Sequence, residues 1–268
     1  MWIAVVPAHN EEDNIARVME NLVRSNIDKI VLVANGCLDK TCEQAVRSVV
    51  GKSLEILSFP EQLGIDVPRA AGAAYAKLFH PEGIVFVDGD MKGEISYIVS
   101  ELLKGIEKGL DLALTNCYPF IYQRSSLANS VLKHRELLNR RLGLFTQLGL
   151  ATPSHGPHAI SAKFLREVPL ELLAIPPMAL AFAAQKSLSI GVSAAIFHNL
   201  LGSSYRSAEH AKLIAETIIG DCQLALSFVK GQPLEEIFSP DNYNSGYQSS
   251  RRFDLLQTFL NNLRLIVE

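Results

Sequence analysis

Ile84-Val85-Phe86-Val87-Asp88-Gly89-Asp90 sets a short, continuous apolar run against two carboxylates and a glycine. An apolar run that does not alternate is the pattern of a strand buried on both faces. Asp88 and Asp90 therefore emerge at the carboxyl end of a strand, with Gly89 as a flexible joint between them. Two acids so close repel one another unless a cation sits between them, and a hard divalent ion with oxygen ligands suits them. Such an ion keeps water and substrate phosphates in its other positions, which points to a nucleoside diphosphate. Acid-x-acid triplets are common, so the weight of this one comes from what surrounds it.

Working outward, similar runs occupy residues 2–6, 30–34, 54–59 and 110–115. Segments of helical period separate them: Ile15, Val18, Leu22 and Val23 share one face behind the acidic start Glu11-Glu12-Asp13, and 95–103 repeats the period. Asp39 caps a helix through Thr41, Ala45 and Val49. This alternation predicts an α/β fold with a mostly parallel central sheet and helices on both faces. In such sheets ligands bind beyond the carboxyl ends of the strands. Those ends read Pro7-Ala8-His9-Asn10-Glu11, Asn35-Gly36-Cys37-Leu38-Asp39 and Asp88-Gly89-Asp90. Each alone is ordinary turn chemistry; three in succession describe a site. After residue 115 the rhythm breaks. A helix over 127–144, a loop over 149–157, a strand over 189–197 and C-terminal helices over 208–229 and 253–267 follow.

Composition excludes several classes. The chain has 268 residues, 48% hydrophobic and 20% charged, enough apolar mass for a large buried core and too much for disorder. A net charge of −3 argues against binding nucleic-acid backbones. Four cysteines without a C-x-x-C pair suggest neither disulfides nor a zinc site, and a cytoplasmic setting. No signal peptide is expected, and the most apolar stretch, 174–197, is broken by Pro176-Pro177 and Gln185-Lys186, so no transmembrane segment is expected either. A dehydrogenase lacks its G-x-G, and an α/β-hydrolase its G-x-S-x-G.

VVPAHNEE, VLVANGCLDKT, GIDVPRAAG and FVDGD, in this order and spacing, resemble the signatures of family 2 glycosyltransferases and their relatives with the GT-A fold. The resemblance covers roughly the first 115 residues; Gly156-Pro157-His158-Ala159-Ile160 is similar, less specifically, to the family's acceptor-side segment. It implies a nucleotide-sugar-binding half at 1–115, an acceptor-side half at 116–205 and a helical extension at 206–268. It also implies that Pro7, Ala8, His9, Asn10, Glu11, Asn35, Gly64, Arg69, Asp88 and Gly89 surround a UDP- or GDP-sugar. Asp90 would bind Mg²⁺ or Mn²⁺, with Asp88 and His198 as further ligands, since several retaining relatives place a histidine after the last strand. His155, Gly156, His158, Tyr205 and Arg206 would fall on the acceptor side.

Departures qualify the likeness. Ala34 stands where many members carry an acid, leaving uracil and guanine both open, and Gly64-Ile65-Asp66 lacks a basic residue common there. Inverting members place a carboxylate before the penultimate elements to deprotonate the acceptor; here 175–181 holds none. That favours retention, slightly, and leaves a non-catalytic nucleotide-sugar binder or degenerate scaffold as the alternative. Arg135, Arg140 and Arg141 read as a solvated helix stripe, with a grip on an anionic acceptor as the other reading. Phe253, Leu256, Phe259, Leu260 and Leu263 form an apolar stripe suited to the core or to a homodimer partner.

Overall fold

The computed structural model describes residues 1–119, 125–204 and 206–267. Its strands are β1 (Trp2–Ala8), β2 (Lys29–Asn35), β3 (Ser53–Phe59), β4 (Gly83–Phe86), β5 (Leu112–Asn116), β6 (His158–Ser161) and β7 (Ile190–Ala195). They form one seven-stranded sheet in the order β3-β2-β1-β4-β6-β5-β7. β1 pairs in parallel with β2 and β4, β2 with β3, and β5 with β7, while β6 runs antiparallel to both β4 and β5. The carboxyl ends of β1, β2 and β4 therefore share one edge. Strand order reverses between β1 and β4, the switch point where open α/β sheets leave a crevice.

The helices are α1 (Ile15–Val23), α2 (Thr41–Ser48), α3 (Val67–Lys77), α4 (Ser96–Glu107), α5 (Ser126–Arg141), α6 (Phe145–Leu148), α7 (Ala162–Glu167), α8 (Pro176–Gln185), α9 (Ala208–Val229), α10 (Leu234–Ile237) and α11 (Phe253–Val267). Alternation along β1 explains why both faces are apolar. Ile3 and Val5 join one core with α3, α8, α9 and α11, and Ala4 and Val6 join the other with α1 and α4. Asp39 was expected to cap α2, but the N-cap is Lys40, which makes no side-chain capping bond; Asp39, one residue earlier, closes the preceding turn, its Oδ1 accepting from the Thr41 backbone N–H at 3.0 Å.

The structure differs from the sequence-based reading in particular places. β3, expected to be buried on both faces, is the sheet edge, and Ile56 on it is exposed. β6 lies where only a connecting segment was expected, because four residues are too few to show a period. The apolar stretch before β7 is α8, buried against α9. Among the described residues no helix is long and apolar enough to cross a membrane. Leu256, Leu260 and Leu263 on α11 are buried within the chain, and Phe259 meets Phe59 edge-on at 5.3 Å, so that stripe packs on the core.

Candidate functional site

A cleft of about 600 Å³ opens at the switch point, and the polar ends of β1, β2 and β4 line it. Asp88-Gly89-Asp90 follows β4 after the single residue Val87. Gly89 packs on β1: its N–H donates to the Pro7 carbonyl at 2.9 Å, and a Cβ there would lie 2.8 Å from that of Ala8. The glycine is needed for close approach, not for flexibility. Arg69, from the first turn of α3, donates from Nη2 to both oxygens of Asp88, at 2.6 and 2.8 Å, and from Nη1 to Asp66. Burial opposes the guanidinium charge, but the fields of Asp88, Asp66 and Asp90 outweigh it and raise its pKa further.

Asp90 is the carboxylate left without a strong partner. Burial first, then the charges of Asp88 and Glu11, push its pKa up to about 6, with only partial relief from Arg206 and Ser203. Glu11, itself buried, accepts from Asn14 Nδ2 at 2.7 Å and pairs with Arg206. A half-buried carboxylate destabilised by neighbouring acids suits a divalent cation. Among the described residues no three His, Cys, Asp or Glu side chains converge closely enough to hold an ion by themselves. The residues present therefore fit an ion that takes most of its ligands from water and phosphate, the usual habit of Mg²⁺.

The expected ligand set does not assemble as read from sequence. Arg69 occupies both oxygens of Asp88, and His198 turns its Nδ1 to His155 Nε2 at 2.8 Å, with Tyr118 stacked on both rings. Pro7, Ala8, His9, Asn35 and Gly64 do line the cleft. His9 Nδ1 donates to the Asn35 carbonyl at 2.7 Å, which leaves Nε2 to accept from Gln62. Asn35 spends its side chain on the loop after β3, its Oδ1 accepting from the Leu63 N–H at 2.6 Å. Asn10 stays outside the cleft wall and accepts from the Leu38 N–H at 2.8 Å, bridging the first two loops.

The acceptor-side residues separate. His155 lines the cleft beside Ser154 and His198. Burial, then the charge of Arg135, push the His155 pKa well below its usual value, so its ring is neutral. Gly156 does not line the cleft; it takes φ +73°, with Cys117 Sγ 2.7 Å from where a Cβ would stand. His158 is core: β6 inserts between β4 and β5 and stacks it on Phe86 at 4.9 Å, 3% exposed. Arg206 pairs with Glu11, just beyond the end of β1. Tyr205 lies outside the described residues. The helix stripe also divides: Arg140 and Arg141 are exposed, but Arg135 is 2% exposed, its Nε has no hydrogen-bond partner, and no described carboxylate pairs with it. Nothing in 175–181 can act as a base, because that segment is buried core.

Sequence reasoning missed Asp66, Gln62, Asp221, Tyr247 and Arg251 at or beneath the cleft. One signal was available: Asp221 interrupts the apolar face of α9 between Ile218 and Ala225.

The sheet order, the single reversed strand and the crevice between β1 and β4 are those of the GT-A fold. Solved structures of glucosyl-3-phosphoglycerate synthase from Mycobacterium tuberculosis share it. In one, holding Mn²⁺, UDP and phosphoglyceric acid, the likeness has a TM-score of 0.61 at 20% identity, over 87% of this chain and 79% of that one. Another, with Mn²⁺, UDP-glucose and phosphoglyceric acid, gives a TM-score of 0.60 at 18% identity, over 87% and 81%. In sequence, the chain is 30% identical over 110 residues to an uncharacterised protein of Methanocaldococcus jannaschii, a match spanning 41% of this chain and 44% of that protein. No family model matches.

Proposed function

We propose that the chain is a metal-dependent glycosyltransferase that moves a sugar from a nucleoside-diphosphate sugar to an acceptor bearing negative charge. The observation that carries this is Asp90, a partly buried carboxylate pushed up to about 6 beside Glu11 and Asp88 at the switch point of a GT-A sheet. The residue roles and the division of the chain at 115 and 205 are part of the same proposal.

Asp90 would hold Mg²⁺ or Mn²⁺ together with the donor's diphosphate. When bound, the ion supplies Lewis-acid stabilisation of the leaving nucleotide. Asp88, held by the Arg69 fork, would face the donor ribose and sugar. His9, Asn35 and Gly64 shape the nucleoside end, and the loop carrying Ser203 and Arg206 covers the diphosphate end. At the other end, the Arg135 charge beneath neutral His155 and His198 favours an anionic acceptor. The mycobacterial structures, with their phosphoglyceric acid, are consistent with that reading. Retention is favoured over inversion because α8 offers no base. The four free cysteines suit a cytoplasmic setting.

The apolar α8 also favours a second reading, a nucleotide-sugar binder without catalysis. Thermal unfolding with UDP or GDP, with and without Mn²⁺, tests both. Mass action at one hundred times Kd stabilises by about 2.7 kcal/mol. The metal-dependent part of the shift should vanish in Asp90→Asn. Release or transfer of sugar from a bound donor separates enzyme from binder, and no shift with either nucleotide refutes both readings.

A further inference from the structure

We propose that Arg251 and Asp221, both beyond the sequence region that resembles glycosyltransferases, are positioning residues that hold the donor site in register; the inference rests on the donor-site reading above. The observation is a file of alternating charges from the cleft into the C-terminal helices. Asp88 is gripped by Arg69, Arg69 by Asp66, and Asp66 Oδ2 by Arg251 Nη2 at 3.2 Å. Arg251 then forms a two-pronged pair with Asp221, at 2.7 and 2.6 Å, and Gln248 Nε2 donates to the same carboxylate at 2.8 Å. The Arg251 side chain is 0% exposed and that of Asp221 3%.

Asp66 is the joint of this file. It stands at the start of α3 with φ +61° and ψ −23°, a left-handed conformation that residues with a Cβ adopt reluctantly. Its side chain makes no capping hydrogen bond. Both its oxygens are spent on guanidiniums, one toward the cleft and one away from it. Such a conformation persists where the surroundings over-determine it, and here they do. The segment before α3 is fastened from beneath at two further points. Arg252 N–H donates to the Leu63 carbonyl at 2.9 Å, and Arg251 Nε to the Ile65 carbonyl at 3.3 Å. Gly64 lies so close that a Cβ would meet the Ser250 carbonyl oxygen at 2.1 Å.

The consequence is electrostatic. Three carboxylates and two guanidiniums alternate, so removing the Arg251 charge leaves Asp221 without its cation and Asp66 with Arg69 alone. Arg69 is then drawn from Asp88 toward Asp66, and Asp88 loses the fork that sets its plane. Arg251 acts on the donor through Asp66 and Arg69 without itself lining the cleft.

Calorimetric titration of the full chain at 25 °C with UDP and with GDP, each with Mn²⁺, tests this. Asp221→Asn preserves shape and the Gln248 contact; Arg251→Met removes the charge; Arg251→Lys keeps it. Leu256→Ala, a truncation in the α11 core that removes no group of the file, controls for lost stability. The expected result is a Kd at least about tenfold higher in Asp221→Asn and Arg251→Met, partial recovery in Arg251→Lys, and no change in Leu256→Ala at a comparable fall in Tm. If Arg251→Met does not fold, Asp221→Asn and Arg251→Lys carry the comparison. Variants that lose Tm but keep the wild-type Kd overturn the positioning role alone. A wild type that binds neither nucleotide overturns the donor-site reading and this inference together.

Discussion

His158 offers the sharpest test of placement, because its sequence context suggests an acceptor contact and the structure buries it. Burial, then the charge of Arg69, push its pKa down to about 3 against an ordinary value of 6.5. The unfolded chain therefore accepts a proton that the folded chain refuses. Stability is fully present above about pH 6.5 and is lost as the pH falls from there toward 3. At pH 5 the deficit from this one group is 1.36 kcal/mol for each of 1.5 units, or about 2 kcal/mol. His158→Phe keeps an aromatic ring against Phe86 and abolishes the titration. Urea unfolding followed by circular dichroism at pH 7.5 and pH 5 should show wild type losing about 2 kcal/mol more than the variant between the two pH values. His155, also neutral, contributes equally to both proteins and cancels. Equal losses in the two proteins would refute the core assignment, as would a specific rise in acceptor KM at pH 7.5.

Other consequences follow from single contacts. Arg135→Met removes a buried cation that has no described partner, so Tm should hold or rise while any stabilisation by an anionic acceptor is lost; a Tm lower by several degrees would refute the unpaired assignment. Gly64→Ala forces a Cβ onto a backbone at φ +83° and into the Ser250 carbonyl. The conformation alone costs about 1–2 kcal/mol. Both Tm and UDP affinity should fall, and a variant that keeps both would mean that the 250–252 segment does not press on the loop before α3.

The local code carried much of this protein. Unbroken apolar runs at residues 2–6, 30–34 and 84–87 could satisfy their burial only inside a sheet covered on both faces, and the helical period between them made it mostly parallel. Because every parallel strand ends on the same edge, the polar residues after those runs had to meet there. The cleft therefore has Glu11, Asn35, Asp88 and Asp90 in its wall for reasons legible in sequence. What no local pattern could reveal is which partner each polar group takes. β6 is too short to announce itself, yet its insertion turns His158 from a loop residue into core. Arg69 claims Asp88, so the two acids of one triplet stand in different electrostatic surroundings. Arg251 reaches Asp66 across 185 residues of chain. Apolar burial is set by period and composition, which are local; hydrogen-bond and charge partners are set by proximity after folding, and only the tertiary structure decides them.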